Sequence, residues 1–312
     1  MKEKKIILNL IVIIICIGIL VGCYAMYKSY APNSISKEKI AEVNKDEEKP
    51  YDSPIFSEDD YPIVDGSTAT IPLAEAFEKN FTGRENVEIK HSKTHKAYVN
   101  LIDQKADLIL VVEPSEDEIN YAKEKNVELQ YDKVVNEGFV FFVNAKNPVD
   151  SLTLEQIQKI YSGEITNWSE VGGNDEKILA YQRPENSGSQ TGMLSLVMKG
   201  IKMKKPETTE IAESMIDIID VVSEYDNGIN SIGYSYYYYA NTMYISDNVK
   251  MLKVNGVSPN NDTIKKAEYP ILTAYYSVIR KNSNDKILKL RDEMLSIRGQ
   301  KVAENAGYVP VK

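Results

Sequence analysis

Past residue 60 the chain alternates short apolar runs with stretches of helical periodicity, and this alternation restricts the fold more than any other feature. "YPIV" (Tyr61–Val64) reads as a strand, after which Leu73, Phe77 and Phe81 recur on one helix face. "NVEIK" reads as a second strand, Ala97–Ile102 as a helix and "DLILVV" (Asp107–Val112) as a buried strand. "SEDEINYAKEKN" predicts a helix capped by Ser115, leading into the strand "VELQY". A β-α-β-α-β order of this kind predicts an α/β unit with a mostly parallel sheet. After "GFVFFVN" (Gly138–Asn144) a second set follows. It comprises the helix "TLEQIQKIYSG", a strand near Ile178–Tyr181, helices after Gly188 and around Ile211–Val222, and the strand "SIGYS". The β-prone run "YPILTAYYSVI" then precedes a helix with Ile287, Leu290, Met294 and Ile297 on one stripe, and "GQKVAENAGYVPV" ends the sequence. The two β-rich crossings bracket the middle segment. They predict two lobes with a cleft between them: 61–140 plus 272–312, and 141–271.

The first residues place this unit outside the cytoplasm. "MKEKKIILNLIVIIICIGILVGC" has Lys2, Lys4 and Lys5 ahead of an apolar run, which is the form of an export signal over residues 1–22. Leu20-Val21-Gly22-Cys23 resembles a bacterial lipobox, making Cys23 the expected lipidation site and the cell membrane the expected anchor. A plain membrane-spanning anchor is the alternative reading. Residues 23–60, rich in charge, Ser and Pro, read as a disordered tether. Cys16 and Cys23 are the only cysteines, so the folded part has no thiol for a disulfide, a zinc–thiolate site or a cysteine nucleophile. A net charge of −9 argues against a nucleic-acid partner, which calls for a basic face. It leaves a small anion possible, because such pockets work through local N–H groups.

Two loops carry the chemistry. "DGSTATIP" (Asp65–Pro72) follows a strand and enters a helix with Pro in the first turn, and "RPENSGSQTG" (Arg183–Gly192) likewise precedes a helical pattern. Each offers glycine for close backbone approach, unpaired first-turn N–H groups and Ser/Thr hydroxyls. Arg183 adds a planar fork that matches a tetrahedral oxyanion. The second loop lacks the Gly-Lys-Ser/Thr ending of a nucleotide phosphate loop and the G-x-S-x-G elbow of a serine hydrolase. His91 and His95 stand four residues apart, but their segment reads as strand end and loop, and both read as exposed polar residues rather than a metal pair. No metal and no cofactor is expected. Trp168 and Tyr236–Tyr239 read as packing residues.

These segments also resemble a known family. "DGSTATIPLAEAF", "ADLILVVEPS", "IYSGEITNWSEVGG", "RPENSGSQTGM", "SIGYSYYYYA" and "GQKVAENAGYVPV" are similar to successive signatures of phosphate ABC transporter substrate-binding lipoproteins, over about Tyr61 to Lys312. The resemblance implies a two-lobed, periplasmic-binding-protein-like (type II) α/β fold with the ligand cleft between the lobes. It implies inorganic phosphate as ligand and ABC permease subunits as partners. The phosphate-binding positions it implies are Thr70 and the amide of Ile71, with Ser67 and Thr68 nearby, then Thr94, then Arg183, Ser187, Gly188 and Ser189. The family's acidic acceptor after the third strand falls on Val112, with Glu113 beside it as the possible specificity acceptor. Adjacent residues of a strand face opposite ways, so selection of phosphate over similar oxyanions stays open. The expected protein is a monomeric binder and not an enzyme, since no nucleophile–base set assembles. A non-transport oxyanion sensor or surface-attached binding module is the alternative.

Overall fold

The computed structural model describes residues 53–224, 228–244 and 246–311. The export signal, Cys23 and residues 24–52 of the expected tether lie outside the described residues; residues 53–60 are not a disordered tether, since the amides of Ile55 and Phe56 donate to Phe81 O at 2.8 and 3.0 Å and Phe56 is buried. The strands are β1 (Val64–Gly66), β2 (Leu108–Val111), β3 (Leu129–Asn144), β4 (Ser151–Leu152), β5 (Leu179–Ala180), β6 (Ser231–Tyr236), β7 (Val249–Met251), β8 (Lys253–Val254), β9 (Leu272–Arg280) and β10 (Val309–Pro310). Among the described residues, eight form one sheet with the order β1-β2-β9-β3-β6-β5, with β7 and β10 also paired to β3. β4 and β8 form a separate parallel pair.

β3 organises this sheet. It pairs antiparallel with β9 from Leu129 to Gly138 and with β6 from Phe139 to Val143. The strands expected at "VELQY" and "GFVFFVN" are therefore one 16-residue strand that changes partners midway. The sheet is mixed rather than mostly parallel. β1–β2 and β5–β6 are parallel, whereas β2–β9 and the pairs that β3 makes with β6, β7, β9 and β10 are antiparallel. "NVEIK" forms no strand. Three charged or amide side chains in five residues leave little apolar surface to hold it against a sheet.

Helices cover the sheet where their apolar stripes fall. The helix Ile71–Thr82 buries Leu73, Phe77 and Phe81, and Phe77 stacks on Phe81 with centroids 5.4 Å apart. The helix Glu116–Glu124 begins with a capping box in which Ser115 and Glu118 satisfy each other's backbone. Around β3 and β6 the buried Phe139, Phe141, Tyr161 and Tyr234 pack edge-on or tilted. Each such side chain contributes roughly 1.5–3 kcal/mol of burial. The expected stripe Ile287–Ile297 breaks at Ser296. Helix Asp285–Leu295 ends there, Ser296 accepts the amide of Gly299 to cap helix Ile297–Asn305, and Ile297 is 77% exposed. The last residues return to the first half, with Tyr308 OH donating to Ala69 O at 2.7 Å and Asn136 Nδ2 to Pro310 O at 2.9 Å.

A buried carboxyl sits where β3 changes partners. Oε1 of Glu137 accepts the amides of Gly138 (2.8 Å) and Tyr238 (3.2 Å), so it joins β3 to the segment leaving β6. Burial outweighs these hydrogen bonds and pushes its pKa from 4.5 up to about 8. Between those values the native state keeps a proton that the unfolded chain releases, so this group makes stability fall as pH rises from about 5 to 8. In urea titrations, Glu137→Gln should flatten that fall by up to a few kcal/mol, on the order of 3. Equal slopes for the two proteins would refute the assignment.

Candidate functional site

The cleft beside the end of β2 is built from three helix starts. The first is the turn Thr68–Thr70, preceded by Ser67 and running into helix Ile71–Thr82. The second is helix Thr94–Ile102, and the third is helix Gly188–Gly192, capped by the Ser187 hydroxyl, which accepts the amide of Gln190 at 3.2 Å. First-turn N–H groups have no intrahelical acceptor, and residues at all three starts line one cavity. The cavity has a volume of about 550 Å³. That is room for an oxyanion and several waters of about 30 Å³ each.

Most of the residues expected from the sequence meet here. Ser67, Thr68, Thr94, Arg183, Ser187, Gly188 and Ser189 all line the cavity. Thr70 and Ile71 do not. Thr70 is fully buried with its hydroxyl 2.8 Å from Leu110 O and 3.0 Å from Ser67 O, and the Ile71 amide closes the short turn on Thr68 O. Their polar groups are consumed in shaping the turn that presents Ser67 and Thr68. Glu113 is also elsewhere. It accepts from Thr273 Oγ1 (2.9 Å) and Tyr276 OH (2.8 Å), on the opposite side of the extended chain from Val112, which does line the cavity. The expectation that Glu113 serves as a specificity acceptor does not fit this position.

Arg183 is the electrostatic centre. Its side chain is buried, and Nε donates to Ala212 O (2.7 Å), Nη1 to Ser189 Oγ (3.3 Å) and Nη2 to Glu213 O (3.1 Å). These are neutral acceptors. Among the described residues no carboxylate oxygen comes within 4.0 Å of the guanidinium. Burial lowers its pKa, against longer-range attraction from Tyr234, Asp217 and Glu213, but an arginine so placed remains charged. Three of its five N–H groups are used, and the others are available to the cavity it lines.

The opposite wall is held by Asp65 and His91. Burial works to raise the Asp65 pKa, but hydrogen bonds from Ser92, Asn100 and the Gly66 amide prevail and hold the carboxyl below its usual range. The Ser92 and Asn100 contacts tie β1 to the segment carrying Thr94. His91 is not an exposed polar residue. Burial pushes its pKa down, so the ring is neutral near pH 7, and its Nδ1–H donates to Ser67 O at 2.9 Å. Sequence reasoning also missed Lys93, His95, Glu213, Tyr236 and Tyr239 as cavity residues. Only the Tyr run carried a signal, and its Tyr236 OH donates to Gly188 O at 2.7 Å.

A profile of the PBP superfamily domain matches residues 66–297. This chain belongs to that superfamily. Phosphate-binding protein PstS of Bacillus subtilis (strain 168) is 26% identical over 175 residues, covering 56% of this chain and 55% of that protein. PstS of Borreliella burgdorferi is 29% identical over 180 residues, 56% of this chain and 64% of that one. The chain thus matches between half and two thirds of the length of these two relatives. PstS of Staphylococcus saprophyticus is 29% identical over 268 residues, with 78% of each chain covered. Among solved structures, a phosphate ABC transporter substrate-binding protein of Clostridium perfringens with bound phosphate superposes with a TM-score of 0.65 at 25% identity, over 80% of this chain and 98% of that one. An ABC-type phosphate transport receptor of Vibrio cholerae, at 22% identity and a TM-score of 0.62, shares the fold over 79% and 98%. The architecture is accordingly the two-lobed α/β fold of periplasmic-binding-protein-like domains.

The two walls touch at Gly188. A Cβ there would lie 2.6 Å from Thr94 Oγ1 and 3.3 Å from Val112 Cγ2, and Asn186 Nδ2 donates to Asp117 Oδ2 (2.7 Å) close by. Gly188→Val should hold the walls apart while leaving each folded. The expected result is an unchanged circular dichroism spectrum with a larger radius of gyration in small-angle scattering. An unchanged radius would show that the contact does not control closure.

Proposed function

We propose that this chain is an extracytoplasmic, membrane-anchored solute-binding protein that captures inorganic phosphate, or a similar tetrahedral oxyanion, and delivers it to an ABC importer. The observation that carries the reading is the buried guanidinium of Arg183, compensated by no carboxylate within 4.0 Å among the described residues and facing a cavity lined by hydroxyls and helix starts. A buried charge left unpaired is costly, and a captured anion relieves that cost. Ser67, Thr68, Thr94, Ser187, Gly188 and Ser189 would supply the remaining donors, so each oxygen of a tetrahedral anion meets at least one. The named activities of the PstS relatives agree with this assignment.

The lobes in this reading are 61–140 with 272–312, and 141–271, closing over the ligand about the strands β3 and β9. Cys23 carries the lipid that keeps the protein beside its permease on the outer face of the cell membrane. The cleft works by binding and release as a monomer, without chemistry on the ligand.

Calorimetry of the full chain in detergent micelles, titrated with phosphate, sulfate and molybdate, tests the reading. Phosphate should bind, and Arg183→Ala should weaken it roughly 100-fold or more, about 3 kcal/mol, the scale of lost charge-assisted hydrogen bonds. Absence of heat with every oxyanion would refute it.

A further inference from the structure

Lys93 directly precedes helix Thr94–Ile102 and lines the cavity. Its backbone stands at φ 70° and ψ 161°, a region that glycine enters freely and that a residue with a Cβ occupies only under strain. The chain on either side accounts for the turn. The Asp65 carboxylate accepts both the amide (2.8 Å) and the hydroxyl (2.5 Å) of Ser92, and the Lys93 carbonyl accepts the Ala97 amide at 2.9 Å to begin the helix. Residue 93 absorbs the change of direction between these fixed points, and Thr94 reaches the cavity as a result. This explains the conformation but not the lysine. Glycine would make the same turn without strain, so the side chain contributes something that the turn does not need. It is exposed, and among the described residues no carboxylate oxygen lies within 4.0 Å of its ammonium, although Glu185 and Glu213 line the same cavity.

We propose that Lys93 is a second cationic contact to the captured anion, donating from the wall that carries Thr94 while Arg183 donates from the other. The inference rests on the oxyanion reading above. The two cations are built differently. Arg183 is fixed by Ala212 O, Ser189 Oγ and Glu213 O, and so holds one direction. Lys93 carries a compact charge with three donors on a flexible four-carbon stem, which can follow an anion as it settles. With one cation on each wall, an anion between them attracts both, and charge as well as hydroxyl donors favours bringing the walls together. Strain at residue 93 is then a local cost that ligand contact offsets, as at other strained positions in binding sites.

The test combines urea unfolding with calorimetric titration of inorganic phosphate, on the full chain in detergent at pH 7.5 and at low and high sodium chloride. Wild type, Lys93→Met, Lys93→Arg, Lys93→Gly and Lys96→Met are compared; Lys96 is exposed on the same helix and outside the cavity lining. Lys93→Met keeps the Cβ and removes the charge, and should weaken phosphate about tenfold while flattening the salt dependence of binding. Lys93→Arg should stay within about threefold of wild type, and Lys96→Met within about twofold. Lys93→Gly should unfold at a higher urea concentration than wild type and yet bind phosphate at least as weakly as Lys93→Met. A residue that only shapes the turn would give the higher urea midpoint in Lys93→Gly with wild-type affinity in Lys93→Met, which overturns the inference. Equal losses in Lys93→Met and Lys96→Met overturn it too, since they mark long-range charge without contact. Wild type that binds no phosphate overturns the oxyanion reading and this inference together.

Discussion

One strand passes through both halves of the molecule, and the site depends on it. β3 exchanges β9 for β6 between Gly138 and Phe139, so its hydrogen-bond ladder is continuous while its neighbours change. Strand pairing fixes side-chain facing at every second residue, which locks the halves in register with each other. The Arg183 loop reaches the cavity from the β6 side, where its amide donates to Tyr234 OH at 3.0 Å. The Ser67 turn reaches it from the β1–β2 side, where the Ser67 amide donates to Leu110 O at 3.0 Å. A continuous ladder between them lets two walls distant in sequence present donors to one point.

The electrostatics of that point run against the charge of the whole chain, which is −9. A net negative molecule repels anions at long range, but the repulsion is screened over about 8–10 Å at physiological salt. Within the cavity the local charges dominate. One buried cation with neutral acceptors around it and three helix starts place hydrogen-bond donors in a cavity that Lys93, Glu185 and Glu213 also line. Asp65, although anionic and close, is already surrounded by four hydrogen bonds from Gly66, Ser92 and Asn100, and these draw its charge into the wall.

Much of this was legible in the sequence, and the reasons for the rest are physical. Local rules hold where the chain settles its own polar groups: Ser115 caps a helix as its type predicts, and the two Ser/Gly-rich loops do meet at one cavity. Strand direction was not legible, because antiparallel pairing of β3 with β9 joins residues more than 130 positions apart. The polar middle of β3, "QYDKVVNE", gives no sign that two apolar runs form one strand until β9 is beside it. The error at Thr70 is smaller in scale. In a three-residue turn, one step rotates a hydroxyl from the cavity to the core, and composition is blind to that rotation. His95 is exposed as its sequence reading has it, but its pairing with Glu118, 23 residues along on the next helix, carries no local signal. The end of the helix at Ser296 did carry a signal, a serine three residues ahead of Gly299, which the apolar periodicity masked.

The contact of Gly188 with Thr94 and the bond from Asn186 to Asp117 join residues of the two sides that line or flank the cavity. Under the proposed function, an ion enclosed by these contacts would leave when they part, and its residence time would follow the opening rate of the protein. Capture and release can then be tuned separately. Asn186, whose amide donates to Asp117 rather than to the cavity, would then act on the rate of hand-over more than on the amount held.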